Sequence, residues 1–284
     1  MTQKIIALVD GSTYSASVCD HAAWIAGRTG SAVELLHVLG RREGAEKHDL
    51  SGALALGART ALMEELAELD AQRSKLVAHR GRAILEDAHA ILTRAGVTEI
   101  TTRLRHGDIV ETVGEVEKDA SLILIGKRGE AADFAKGHLG SNPERIVRAS
   151  HKPVFVASRA FRPVQKVLVA YDGGTSAVRA VDHIARSPLF AGLQVTVATV
   201  GTPSAELKKG LENASAMLRA AGIASQTAIV EGQPETALGK LVEAEGYDML
   251  VMGAYGHSRI RSLVIGSTTT EMLRTCKVPV VLVR

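Results

Sequence analysis

Short apolar runs separated by polar, helix-forming stretches set the pattern of this chain. Ile5–Asp10 and Val167–Asp172 are of strand length, rich in aliphatic residues, and each stops at Asp-Gly. Ser and Thr residues follow each Asp-Gly and suit a helix N-cap. Ser121–Ile125 and Met249–Met252 are apolar on both faces, as strands of a parallel sheet covered on each side must be. Val110–Glu117 and Thr236–Glu245 read as helices between them. A βαβα order with continuous apolar strands predicts an α/β fold built on an open, doubly wound parallel sheet, Rossmann-like in its layers.

The pattern occurs twice. Lys4-Ile-Ile-Ala-Leu-Val-Asp-Gly-Ser-Thr13 returns as Lys166-Val-Leu-Val-Ala-Tyr-Asp-Gly-Gly-Thr175. Leu122-Ile-Leu-Ile-Gly-Lys-Arg-Gly129 corresponds to Met249-Leu-Val-Met-Gly-Ala-Tyr-Gly256, and the closing runs Pro153–Ala157 and Pro279–Val283 also match. The spacing between copies shrinks along the chain, so the first copy carries roughly 35 extra residues after its second strand. Two tandem domains follow, residues 1–160 and 161–284, joined near Ser158–Val164. A helical insert at about 44–95 belongs to the first. Its Ala, Leu, Glu and Arg content favours one or two long helices. Leu54, Leu62, Leu66, Leu69 and Leu76 form a stripe expected to pack on the first domain, while Glu64, Glu65 and Arg73 read as a solvated face. The two apolar closing strands are expected to pair with each other, since an open edge of that kind invites association.

Composition narrows the function. Apolar residues are 46% and aromatics 3%, so the core is aliphatic. With 34 basic and 31 acidic residues the net charge is +3, too even for a protein whose task is coating nucleic acid. Cys19 and Cys276 fit neither a disulfide framework nor a zinc ribbon. The first apolar run is too short for a signal peptide, and no stretch approaches a membrane span, so a soluble cytoplasmic protein is expected. His21, His37 and His183 read as packing or surface residues. His106, His138 and His151 could approach one another, but their spacing demands no metal.

Ligands of open parallel sheets bind beyond the carboxyl ends of the strands. Asp10 and Asp172 fall there, as do two glycine loops. The second loop has Gly253 and Gly256, then nine residues, then Gly266-Ser267-Thr268-Thr269 opening a helix. Glycines allow close backbone approach, and free helix N–H groups with hydroxyls suit phosphate. The same glycines can equally be plain turns and the Ser an N-cap. No Gly-x-Gly-x-x-Gly follows either first strand and no Walker loop is present, which argues against a dehydrogenase or a P-loop enzyme.

The opening Val-Leu-Val-Ala-Tyr-Asp172-Gly, the Gly-x2-Gly-x9-Gly-Ser signature and the closing Val-Pro-Val-Val-Leu-Val resemble a universal stress protein domain. The whole chain resembles a tandem member of that family, with two domains of the adenine-nucleotide alpha hydrolase-like type. The resemblance implies ATP binding, with or without Mg2+. Asp172 would approach the ribose or a metal ion, and Val200 would lie against the adenine. Gly253, Gly256, Gly266, Ser267, Thr268 and Thr269 would hold the phosphates. The first copy offers Asp10, Gly126, Gly129, Gly140 and Ser141, but its loop is one residue longer and Asn142-Pro143 replace the threonines. Pro143 removes one N–H, and Lys127, Arg128 and Lys136 are the charges available to offset it. The second site is therefore expected to be the stronger. The implied function is a non-enzymatic, ATP-binding regulator of the stress response. A slow metal-dependent ATPase and a partner-binding module with vestigial nucleotide sites are the alternatives. Adenine nucleotide is the expected partner, without nucleic acid or membrane, and a homodimer is left open.

Overall fold

The computed structural model describes residues 3–40, 56–129, 141–254 and 267–284. In the first half the order is β1 (Lys4–Leu8), α1 (Thr13–Thr29), β2 (Ala32–Leu39), α2 (Leu56–Arg94), β3 (Ile100–His106), α3 (Ile109–Val116), β4 (Ala120–Gly126), α4 (Ser141–Ala149) and β5 (Val154–Ala157). The second half runs β6 (Lys166–Ala170), α5 (Thr175–Arg186), β7 (Gln194–Val200), α6 (Ala205–Ala220), β8 (Ala224–Val230), α7 (Pro234–Glu245), β9 (Met249–Gly253), α8 (Ser267–Thr275) and β10 (Val280–Val283). The fold is α/β and doubly wound, and its repeat follows the repeat in sequence.

All ten strands form one sheet in the order β3-β2-β1-β4-β5-β10-β9-β6-β7-β8. Every neighbouring pair is parallel except the central one: β5 and β10 run antiparallel, with Val156 opposite Val280 and Val154 opposite Leu282. The period-2 alternation of the strands sorts their side chains into two apolar layers. Ile5, Ala7, Phe155, Val167, Val281 and Val283 enter one layer; Ile6, Leu8, Val154, Val156, Leu168 and Leu282 enter the other. Both layers pass through the β5–β10 joint without a break, so the two halves share one core rather than two.

Helix α1 begins where the Ser12 side chain accepts the Tyr14 N–H and ends at Gly30, whose left-handed φ of 66° closes the last turn. Arg28 near that end crosses to the second half. Its Nε donates to the Leu189 carbonyl at 2.7 Å and its Nη2 to the Ala191 carbonyl.

The insert is one helix from Leu56 to Arg94; residues 44–55 of the expected span lie outside the described residues, as does Leu54. Among the described residues only its second half is anchored. Leu85, Ala88 and Leu92 are buried, and Gly81 lets the helix backbone approach the sheet, where a Cβ would stand 2.8 Å from Leu104 and 3.0 Å from His37. Of the leucine stripe expected to make this contact, Leu69 is 54% exposed, Leu76 70% and Leu66 half-buried, while the Leu62 side chain lies outside the described residues. Small residues at 81 and 88 bring the helix onto β2 and β3, and the larger leucines lie one to three turns earlier, beyond the sheet.

Candidate nucleotide site

Strand β6 is flanked by β7 on one side and β9 on the other, so the chain leaves its carboxyl end in opposite directions. This is the switch point of the second half, and Asp172 and Gly253 emerge beside each other there, with Ala170 paired to Met252 just behind them. The first half repeats the arrangement with β1 between β2 and β4. Gly11 and Gly173 both take φ of 77°, a conformation that side-chain-bearing residues rarely adopt, and so form the same turn after each strand.

The two turns differ in how they hold their aspartate. Asp10 Oδ1 accepts from the Ser12 N–H at 3.0 Å and the Ser15 hydroxyl at 3.1 Å, while Ser15 Oγ accepts the N–H groups of Asp10 and Gly11. Asp172 Oδ1 accepts the Gly174 N–H at 2.8 Å. The repeat places Ala177 where Ser15 stands, so the hydroxyl that draws the Asp10 carboxylate into its own loop is not repeated at that position. The negative charge of Asp172, after burial, holds the neighbouring Tyr171 hydroxyl above its ordinary pKa.

The described glycines at the start of each loop stand against these turns. A Cβ on Gly129 would stand 2.8 Å from Asp10 Oδ2, and one on Gly126 would stand 2.7 Å from the Tyr14 Cβ. In the second half a Cβ on Gly253 would come within 2.9 Å of Ser176 Cβ and 3.1 Å of the Ala177 nitrogen, in the first turn of α5. Both loops thus need glycine to seat β4 and β9 against the following helix layer. Gly256, Gly266 and Gly140 lie outside the described residues, while Ser141 and Ser267 are the first residues of α4 and α8. Thr268 and Thr269 fall in the first turn of α8. Thr269 is buried, and the Thr268 hydroxyl donates to Glu235 Oε1 of α7 at 3.0 Å. Val200 is half-buried at the end of β7.

Three features were not read from the sequence. Glu235 on Thr268 is one, and the Ser15-to-Ala177 exchange is another. The third corrects an expectation: Lys127 is not a spare cation for phosphate. It is 7% exposed, and its amine donates to the Cys276 carbonyl of the second half. Burial lowers its pKa to about 8. The signal was available in the repeat, where Ala254 takes the corresponding place. Lys136 and His138 lie outside the described residues, and Arg128 is half-buried.

Three further histidines make contacts within the fold. His37 Nδ1 lies 2.7 Å from the Val9 carbonyl, and His21 is fully buried beside Phe155 and Phe161. His151 Nδ1 meets Glu117 at 3.0 Å. Among the described residues no group of three or more His, Cys, Asp or Glu side chains could hold a metal ion, and no helix is long and apolar enough to cross a membrane.

Comparison with known proteins gives one consistent result. The model of the universal stress protein family matches twice, at residues 1–158 and 163–284. Universal stress protein Slr1230 of Synechocystis sp. is 35% identical over 286 residues, covering 99% of this chain and all of that protein. A universal stress protein of Mycobacterium tuberculosis, Rv1996, is 31% identical over 134 residues, which is 41% of this chain and 42% of that one. Among solved structures, a universal stress protein from Archaeoglobus fulgidus superposes with a TM-score of 0.72 at 20% identity, covering 99% of this chain and 98% of that one.

Proposed function

The chain belongs to the universal stress protein family, with two copies of the domain, and from that premise we propose that it binds ATP chiefly in its second half and acts as a regulator rather than a catalyst. The observation that carries this reading is the switch point of β6. It sets Asp172, a glycine of left-handed φ, Gly253 and the first turn of α8 around one end of the sheet. A nucleotide fits the residues present. Gly253 leaves no side chain over the strand end, and the start of α8 carries Thr268 and Thr269 with no acidic residue in its own first turn. Asp172 would receive the ribose hydroxyls, Val200 would pack on the base, and Ser267, Thr268 and Thr269 would face the phosphates.

Glu235 adds a refinement. Its carboxylate rests on the Thr268 hydroxyl, so a negative charge stands beside the proposed phosphate position. A triphosphate arriving with Mg2+ suits that setting better than a bare one. In the first half, Ser15 engages the Asp10 carboxylate and the Lys127 amine is bound across the joint, which supports weaker binding there.

Mass spectrometry of ligand released from freshly purified, denatured protein is the direct test. Adenine nucleotide near one equivalent per chain supports the reading. No nucleotide, and no thermal shift on adding ATP with Mg2+, favours a partner-binding module. Steady release of phosphate that follows a Mg2+ titration would make the protein a slow ATPase instead.

A further inference from the structure

The first half of α2 carries an apolar face that the described residues leave uncovered. No residue from Met63 to Arg80 is buried. Met63 is 53% exposed, Leu69 54% and Leu76 70%, with Leu66 and Val77 half-buried. These positions are ordered rather than scattered. Leu66, Leu69, Arg73 and Leu76 follow a three-four spacing, the seam of a two-stranded coiled coil, and Met63, Asp70 and Val77 lie along one flank of it. An apolar seam of this length on a projecting helix calls for a partner of matching length.

The charges select the partner. From Met63 to Arg82 the acids come first, Glu64, Glu65, Glu68 and Asp70, and the bases second, Arg73, Lys75, Arg80 and Arg82. A parallel copy would set acid against acid. An antiparallel copy centred near Ala71 would set the acidic stretch from Glu64 to Asp70 against the stretch that carries Arg73 and Lys75, and the helix is complementary to itself only in that direction.

We propose that two copies of this chain associate through an antiparallel pairing of the first halves of their α2 helices, centred near Ala71. Leu66 of each copy then packs at the level of Leu76 of the other, and Met63 flanks Val77. Arg73 lies at the level of the other copy's Leu69, where its guanidinium reaches the Asp70 carboxylate, and the two-fold axis makes that contact twice. The β5 and β10 edges are already paired with each other within the chain, so that pair of edges is not open to a second copy.

Analytical ultracentrifugation of the full chain across a dilution series from micromolar to submillimolar tests the pairing. The wild type should dimerise reversibly, and Leu69→Arg or Leu76→Arg should weaken the dimer at least tenfold without shifting the melting temperature of the dilute monomer. Asp70→Arg should weaken it similarly, and the exchange Asp70→Arg with Arg73→Asp should restore it, which a purely structural role for either residue would not do. Orientation is read separately by disulfide trapping. Gln72→Cys should crosslink to its own copy. Glu65→Cys should not, because antiparallel copies hold those positions about 18 Å apart along the axis at 1.5 Å per residue. A wild type monomeric throughout, a dimer indifferent to Leu69→Arg and Leu76→Arg, or self-crosslinking of both cysteines equally would overturn the proposal. So would a crosslink from position 76 to residues 41–55 of the same chain, because that segment would then be the occupant.

Discussion

Lys127 of the first half donates its amine to the main-chain carbonyl of Cys276 in the second. Cys276 directly follows α8, the helix whose other end carries Thr268 and Thr269. The contact therefore ties the loop after β4 to the far end of the helix that opens the second candidate site. Burial of the ionised amine is its cost, and that is why the pKa falls to about 8.

The sign of the pH dependence follows. The folded pKa lies below the unfolded value near 10.5, so the unfolded chain binds the proton more tightly across that interval. The contribution of Lys127 to stability should thus rise as pH increases from about 8 to about 10.5. Urea unfolding of wild type and Lys127→Met across this range should diverge in that direction, by up to about 3 kcal/mol. Parallel curves would mean that the amine stays hydrated.

His21 predicts the opposite end of the scale. Burial lowers its pKa to about 4, against an opposing bond to the Ser17 carbonyl, and among the described residues its Nε2 has no hydrogen-bond partner. Its neutral form is the one that the fold accepts. The stability that this group contributes is complete above about pH 6.5 and should fall as pH drops from there toward 4. His21→Phe, placed among Phe155 and Phe161, should flatten that part of the pH profile of the melting temperature. His183 is lowered by burial in the same way, so the double variant with His183→Phe should be flatter still.

The candidate site makes its own prediction through Glu235. Glu235→Gln removes a negative charge from beside the first turn of α8. Charges at helix ends are worth about 0.3–1 kcal/mol, so metal-free ATP should bind roughly two- to fivefold more tightly. With Mg2+ the gain should shrink. Calorimetry with and without the metal checks this, and an equal gain in both conditions would remove the carboxylate from the phosphate neighbourhood.

Helix α2 should respond to substitution in two distinct ways. Leu92→Ala opens a cavity in the core and should cost about 2–5 kcal/mol. Gly81→Val pushes the helix away from Leu104 and His37 and should cost about 1–3 kcal/mol. Leu76→Ala should leave the stability of the dilute protein nearly unchanged, since the side chain is 70% exposed. Thermal denaturation of the three variants distinguishes the anchored half from the projecting one.

The strands were readable because their periodicity is local. Ile5–Asp10 overlaps β1, and Met249–Met252 lies within β9, since an unbroken aliphatic run of that length has few other uses. The insert forms a helix on the first half, as expected, but Leu69 and Leu76 were the wrong contact residues because hydrophobic spacing does not say what a helix packs against. Leu69 and Leu76 repeat as a core stripe does, yet the contact with the sheet is made by Gly81, Leu85, Ala88 and Leu92. Close packing through a glycine and an alanine leaves little trace in a hydrophobic pattern. The site was legible in outline for the reason the strands were: Asp-Gly and the glycine loops sit at strand ends. What escaped were single side-chain contacts between distant parts of the chain. Lys127 and Cys276 stand 149 residues apart, and only the odd replacement by Ala254 in the repeat marks the position.

The antiparallel register of β5 and β10 has a directional consequence. Strands of the first half point their carboxyl ends toward one rim of the sheet, and strands of the second half point theirs toward the opposite rim. The two candidate sites therefore lie at opposite rims of the sheet. A protein that docks on one rim would sense one site alone. News of the other must travel through the body of the sheet or along α8, whose two ends lie near opposite rims. The molecule is double-ended, with one candidate site at each rim of its sheet.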